Sequence, residues 1–370
     1  MKQVFGRGGE IVVLDVPEPE VEPGRILVDT SFSVISSGTE KGLIVEASEN
    51  PELETELGPS RKSKPKLRSR PAPGPGTVRV LPTGVQVHGY SSAGTVVAVG
   101  EGIDDIQPGD RVACSGMQCA FHAERVSVPR NLVSPVPDGV PLEAAAFSTL
   151  GSISMNALRR ANVQFGESVV MYGLGLLGQI CLQIARGAGM RVIGVDIDPD
   201  RVAMARQRGA HAAFDPRAVP DPVARVRELT DGFGADAVLL FVATPSDEPL
   251  NLALQMTRQR GSVVGVGVFG TRFERDFWSG PQIRLVPSQA YGPGRYDDSY
   301  EEEGVDYPIG YVRWTENRNQ AEFLRLLAEG TVTVDELAPI RLPVTEAPAA
   351  YDLLHRPGRP PTVILTYGRD

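Results

Sequence analysis

Three glycines and one acid carry the first chemistry legible in this chain. Gly173, Gly175 and Gly178 follow the apolar run 168–172 and open the helical run 179–188. A second apolar run, 192–195, ends at Asp196, 18 positions beyond Gly178. In that strand–turn–helix–strand context, G-x-G-x-x-G is a dinucleotide-binding fingerprint. Gly173 permits the tight turn, Gly175 lets a pyrophosphate approach the backbone, and Gly178 lets helix and strand pack closely. Leu176 and Leu177 belong to the same turn, where unpaired N–H groups and the helix dipole favour phosphate. The Asp196 carboxylate suits two ribose hydroxyls and would repel a 2′-phosphate. NAD is therefore expected, with NADP less favoured.

A second polar constellation lies at 291–319, where Tyr296, Tyr311, Arg313, Trp314 and Asn317 crowd a coil-like stretch. Aromatic faces stack on sugar C–H surfaces and polar groups take hydroxyls, so a polyhydroxylated small molecule is the expected ligand. A charged stretch stands apart. Five glutamates between residues 46 and 56 precede six basic residues between 61 and 70. It reads as a solvated insertion over 46–76.

The elements that must position these groups change character along the chain. Residues 1–150 alternate like half-buried strands, with proline and glycine at short intervals, as in a small, partly open barrel. Strands are expected at 168–172, 191–196, 237–242, 262–267 and 283–288, with helices at 176–188, 199–208, 221–230 and 247–259. That alternation implies an α/β fold with a doubly wound parallel sheet. A helix from Gln320 to Ala328 and a closing strand at 362–367 are expected to follow, the strand rejoining the N-terminal part. The expected domains are 1–154, 155–290 and 291–370. A formal charge of −9 argues against nucleic-acid binding. No apolar run approaches a membrane span and the start lacks a signal-peptide core. Three cysteines give no disulfide framework, so a cytoplasmic protein is expected.

Val99–Ile103, Gln107–Val112 and the 173–178 turn with Asp196 give the chain a resemblance to the medium-chain dehydrogenase/reductase superfamily, the zinc alcohol dehydrogenases among them. The resemblance covers nearly the whole chain. It implies a GroES-like barrel for substrate beside a Rossmann domain, and a homodimer formed by sheet extension. It also implies Arg201 at the adenosine end, with Val242, Ala243, Thr244 and Gly267 lining the nicotinamide half. Ser37-Gly38-Thr39-Glu40 and Gly89-Tyr90-Ser91-Ser92-Ala93-Gly94 are similar to zinc-lacking bacterial members found beside or fused to sugar-dehydrogenase domains. With the sequence closing at residue 370, no second enzyme domain is expected.

Against the zinc members, Ser37 replaces the usual cysteine, Tyr90 the histidine, and Ala145–Thr149 holds no acid or thiol. The four-cysteine lobe is reduced to Cys114 and Cys119. Hydroxyls cannot replace thiolate, imidazole and carboxylate around zinc, so no metal is expected. A proton donor must then sit beside the reacting oxygen. Tyr90 is the first candidate, Thr39 falls at the relay hydroxyl, Glu40 at the supporting acid, and Lys41 beside them. Ser37 and Ser91 join the substrate side, whereas His88 and His122 read as core or surface histidines. The expected activity is zinc-independent, NAD-dependent interconversion of a secondary alcohol and a ketone on a sugar, cyclitol or sugar conjugate. The alternatives are an NADPH-dependent quinone or enoyl reductase, a porphyrin-side-chain dehydrogenase, and a non-catalytic NAD-binding module.

Overall fold

β-Branched and apolar residues dominate the strands of the N-terminal part, most of whose positions are buried. The computed structural model describes residues 1–40, 85–356 and 358–368. Lys41 and the 46–76 stretch therefore lie outside the described residues. β1 (Lys2–Arg7), β2 (Glu10–Asp15), β3 (Arg25–Val34), β4 (Gln86–Val87), β5 (Ser91–Val99), β6 (Arg111–Ser115), β7 (Arg125–Pro129) and β8 (Val133–Pro135) build this part. β2, β1 and β4 form a small sheet, and β3, β5, β6 and β8 pair in that order in a larger one, with β8 at its edge and β7 also pairing β3.

β9 (Ser168–Tyr172), β10 (Arg191–Val195), β11 (Ala212–Phe214), β12 (Ala235–Leu240), β13 (Thr257–Gly265) and β14 (Arg284–Pro287) form a six-stranded sheet. Its order is β11-β10-β9-β12-β13-β14, and every pairing is parallel. All five residues of β9 are buried, as a strand covered on both faces requires. The order reverses between β9 and β12, so the crevice beyond their carboxyl ends is where such sheets bind ligands. The last strands, β15 (Ile340–Pro343) and β16 (Val363–Thr366), return to the first sheet, β16 pairing antiparallel with β3.

Helix α1 (Ser148–Ala161) crosses from one part to the other. The expected boundary at 154/155 thus falls inside a helix. Serine, threonine and glycine dilute its helical signal, yet Ser152 and Ser154 donate back to the carbonyls of Ser148 and Leu150. A Cβ at Gly151 would come within 2.2 Å of the Phe323 ring, so the glycine permits close approach of a later helix. Helices α2 (Leu176–Gly187), α3 (Pro199–Gln207), α4 (Pro222–Glu228) and α5 (Glu248–Met256) cover the parallel sheet. The helix expected to reach 259 stops at Met256 because β-branched Thr257 starts β13, its hydroxyl donating to the Ala253 carbonyl. α6 (Glu316–Ala328) starts four residues before its expected Gln320, capped by Thr315, and α7 (Ala347–His355) was not expected. Among the described residues, no helix is long and apolar enough to cross a membrane.

Candidate active site

The turn after β9 has the shape a pyrophosphate needs. Gly173 sits at φ +102°, and a Cβ on Gly178 would lie 2.0 Å from the Gly173 carbonyl oxygen. Gly175, the cap of α2, is open, its nearest such neighbour being the Arg201 Nη1 at 3.9 Å. No side chain caps α2, which leaves its first N–H groups to a ligand. Leu176 is buried in that turn and Leu177 is half-buried. Asp196, at the end of β10, accepts from the Leu174 N–H at 2.6 Å and the Asp198 N–H at 2.9 Å. A carboxylate has about four acceptor positions, so two remain. Arg201 lies 3.8 Å from Asp196 and 3.4 Å from Asp198. Across the crevice, Ala243 pairs with Val268, and the Thr244 N–H donates to the Val268 carbonyl. A Cβ on Gly267 would lie 2.0 Å from the Val242 carbonyl oxygen, which draws the ends of β12 and β13 together.

The second half of the site is built from the turn after β3, the residue before β5 and the start of α1. Tyr90 is buried, and its carbonyl accepts from the Gly116 N–H and the Thr149 hydroxyl. Ser36 and Thr39 stand near its phenol. Burial pushes that phenol up to about 12, the two hydroxyls pull it back, and anionic Glu40 adds to the rise. Thr39 is exposed and Ser37 half-buried, the Ser37 hydroxyl donating to the Pro361 carbonyl at 3.1 Å. Ser91, by contrast, is fully buried and donates to the Ala146 carbonyl at 2.6 Å. It closes the wall and faces away from any substrate.

Beneath Tyr90 lies a buried network that sequence reasoning missed. The Glu40 carboxylate accepts from the Ser36 N–H at 2.7 Å, from His122 Nε2 at 3.1 Å and from the Tyr351 hydroxyl. His88 Nδ1 lies 3.5 Å from the same oxygen. Ser33 bridges His122 Nδ1 and the Tyr367 hydroxyl, each at 2.7 Å. With His122 protonated at Nε2, its Nδ1 accepts from Ser33, which accepts from Tyr367. Burial alone would raise the Glu40 carboxyl, but His122 and His88 hold it well below the usual carboxylate range. The only sequence signal was scarcity: two of the chain's four histidines flank Tyr90 and the 119–124 stretch.

The structure does not bring the 291–319 residues to Tyr90. The Asn317 amide donates to the Val133 carbonyl, and the Tyr296 hydroxyl accepts from Gln289 at 3.4 Å. Tyr311 is 91% exposed, and Trp314 stacks on Arg313 and on Arg159 of α1. Arg159 is ten residues along α1 from Thr149, or about 15 Å. Tyr291 instead packs in a buried cluster with Cys119.

Residues 177–297 match the family model described as zinc-binding dehydrogenase. The D-arabitol-phosphate dehydrogenase of Enterococcus avium is 25% identical over 305 residues, 73% of this chain and 79% of that protein. The (R,R)-butanediol dehydrogenase of Neisseria gonorrhoeae is 25% identical over 366 residues, 91% of this chain and 90% of that one. In sequence the chain is similar to the zinc-type alcohol dehydrogenases of the medium-chain superfamily. The solved structure of 2R,3R-butanediol dehydrogenase from Bacillus subtilis shares the dehydrogenase fold, with a TM-score of 0.75 at 20% identity over 99% of each chain.

Proposed function

We propose that this dehydrogenase interconverts a secondary alcohol and a ketone on a polyhydroxylated small molecule, using NAD and no zinc. The observation that carries the reading is the buried Tyr90 phenol, with Ser36 and Thr39 near it. A phenol pushed up to about 12 stays protonated at neutral pH, so Tyr90 is a donor to an oxygen gaining negative charge. When bound, the nicotinamide supplies or accepts the hydride. Tyr90 gives its proton to the carbonyl oxygen during reduction and regains one through the exposed Thr39 hydroxyl. Glu40 acts through the turn: it accepts from the Ser36 N–H, its own N–H donates to the Ser36 carbonyl, and so it fixes the turn that carries Ser36 and Thr39.

The donor set supports the zinc-free part. Ser37 and Thr149 already donate to backbone carbonyls, and Ser148 accepts from Gln320. Burial pushes the Cys119 thiol up to about 12 and Cys114 higher, so neither supplies a thiolate. Two free acceptor positions on Asp196 support NAD, since a 2′-phosphate there would meet a carboxylate. The two relatives, a polyol-phosphate and a diol dehydrogenase by name, support the alcohol class. The exposed edge strand β14 supports a homodimer, and three free, buried cysteines suit a reducing, cytoplasmic setting.

The test is reduced-cofactor formation from NAD and, separately, NADP. Sugars, cyclitols and polyol phosphates are offered after exhaustive chelation, with bound zinc assayed. NAD turnover that survives chelation is expected. Activity that tracks stoichiometric zinc, or runs only with NADPH on C=C substrates, would overturn the reading.

A further inference from the structure

Away from the cleft, the last turn of α1 meets the residues that precede α6. The Arg159 guanidinium carbon lies 3.5 Å from the centre of a Trp314 ring, and that of Arg313 lies 3.9 Å away. Two cations therefore share one indole. Among the described residues, neither has a carboxylate within ion-pair distance. Glu322, the acid whose charge both feel, is held by Arg325 through two contacts at 3.0 and 2.7 Å. On a chain of formal charge −9, with acids in excess, such pairing without an acid is unusual.

The energetics point outward. Burial depresses the Arg159 guanidinium to about 10, with Arg313 adding to the depression. The carbonyl end of α1 compensates Arg159 in part, as helix C-termini do for cations. Arg313 has no such compensation. Stacking occupies guanidinium faces and leaves their N–H edges free to donate. The Nε of Arg159 donates to Asn319 Oδ1 at 2.9 Å, which fixes that fork in place. Guanidinium edges left free by stacking supply the charge-assisted donors that a phosphoryl dianion accepts.

We propose that Arg159, Trp314 and Arg313 form a binding site for a phosphoryl dianion, distinct from the hydride-transfer cleft. Lying about 15 Å along α1 from Thr149, it is too far from Tyr90 for the group beside the reacting carbon. It takes free phosphate or the phosphorylated end of a larger molecule. The proposal does not depend on the alcohol reading, because it is read without turnover.

The chain has two tryptophans, Trp278 and Trp314, so Trp278→Phe leaves Trp314 as the single indole reporter. Its emission is followed during titration with inorganic phosphate at constant ionic strength, with NAD saturating to occupy the glycine turn. A saturable change is expected, weakened at least tenfold by Arg313→Ala and by Arg313→Gln, with melting unchanged because Arg313 is exposed. Tighter binding of a sugar phosphate than of phosphate would assign the site to a larger ligand, and equal binding to the free anion. A response no larger than chloride gives, or one untouched in both Arg313 variants, would overturn the proposal.

Discussion

Two buried glutamates of this molecule lie in opposite surroundings. Glu40 is 1% exposed and is met by a backbone N–H, two imidazoles and a phenol. Glu316 is 2% exposed, and neither of its oxygens has a hydrogen-bond partner among the described residues. The first is held as an anion below the usual carboxylate range. The second is pushed up to about 9 by burial, with Glu301 adding and Arg295 opposing. Glu316 lies in the first turn of α6, where the dipole favours an anion by about 0.3–1 kcal/mol. Desolvation costs several kcal/mol and wins. Burial by itself therefore says nothing about charge; the count of donors decides it. The Glu40 shell keeps its carboxylate charged, whereas Glu316 is held neutral.

The sharpest test of what the Glu40 network serves is Tyr90→Phe. Removing the phenol should lower kcat about 10²–10³-fold and KM little, the size general acid catalysis usually contributes. Melting should move only slightly, because the network lies beneath Tyr90 and does not rest on its hydroxyl. Steady-state kinetics beside a melting curve checks both. Unchanged kcat would leave Glu40 and its histidines a purely structural cluster.

Glu40→Ala should destabilise the fold by about 3 kcal/mol, since it strands His122, His88 and Tyr351 without their acceptor. Glu40→Gln gives the sign. A carboxyl held low in the folded chain adds stability above its ordinary value of 4.5 and loses it as pH falls below. The gap between the wild type and Glu40→Gln in urea unfolding should thus be full at pH 7 and shrink toward pH 4. A gap that does not change with pH would mean that Glu40 is not an anion in the fold.

The same contrast explains what the sequence could carry. The glycine turn is local: five residues of strand, six of turn and an acid 18 positions on imply geometry that the φ of Gly173 and the crowding at Gly178 then display. The Glu40 shell is not. Its partners join across 82 and 311 positions of chain, and nothing in the neighbourhood of His122 or Tyr351 announces the meeting. The tyrosine- and arginine-rich 291–319 stretch misled in the other direction. Its polar aromatics looked like a sugar platform, but Tyr300 and Tyr307 stack on each other at 5.4 Å, and Asn317 and Asn319 bond backbone carbonyls. Composition shows what a segment can touch, and only topology shows what lies within reach.

The smallest expected effect probes the other side of the comparison. Between 4.5 and about 9 the folded chain keeps a proton on Glu316 that the unfolded chain has released, so stability falls as pH rises through that range. Glu316→Gln keeps the shape and removes the titration. It should be neutral near pH 5 and stabilising by about 2 kcal/mol near pH 8, the reverse of the trend for Glu40→Gln. Urea unfolding at the two pH values reads the difference. If Glu316→Gln were destabilising at pH 8, the carboxylate would have a partner in solution, and the buried acids would be alike after all. If the slopes oppose each other, donor count is what separates a charged from a neutral buried glutamate in this dehydrogenase.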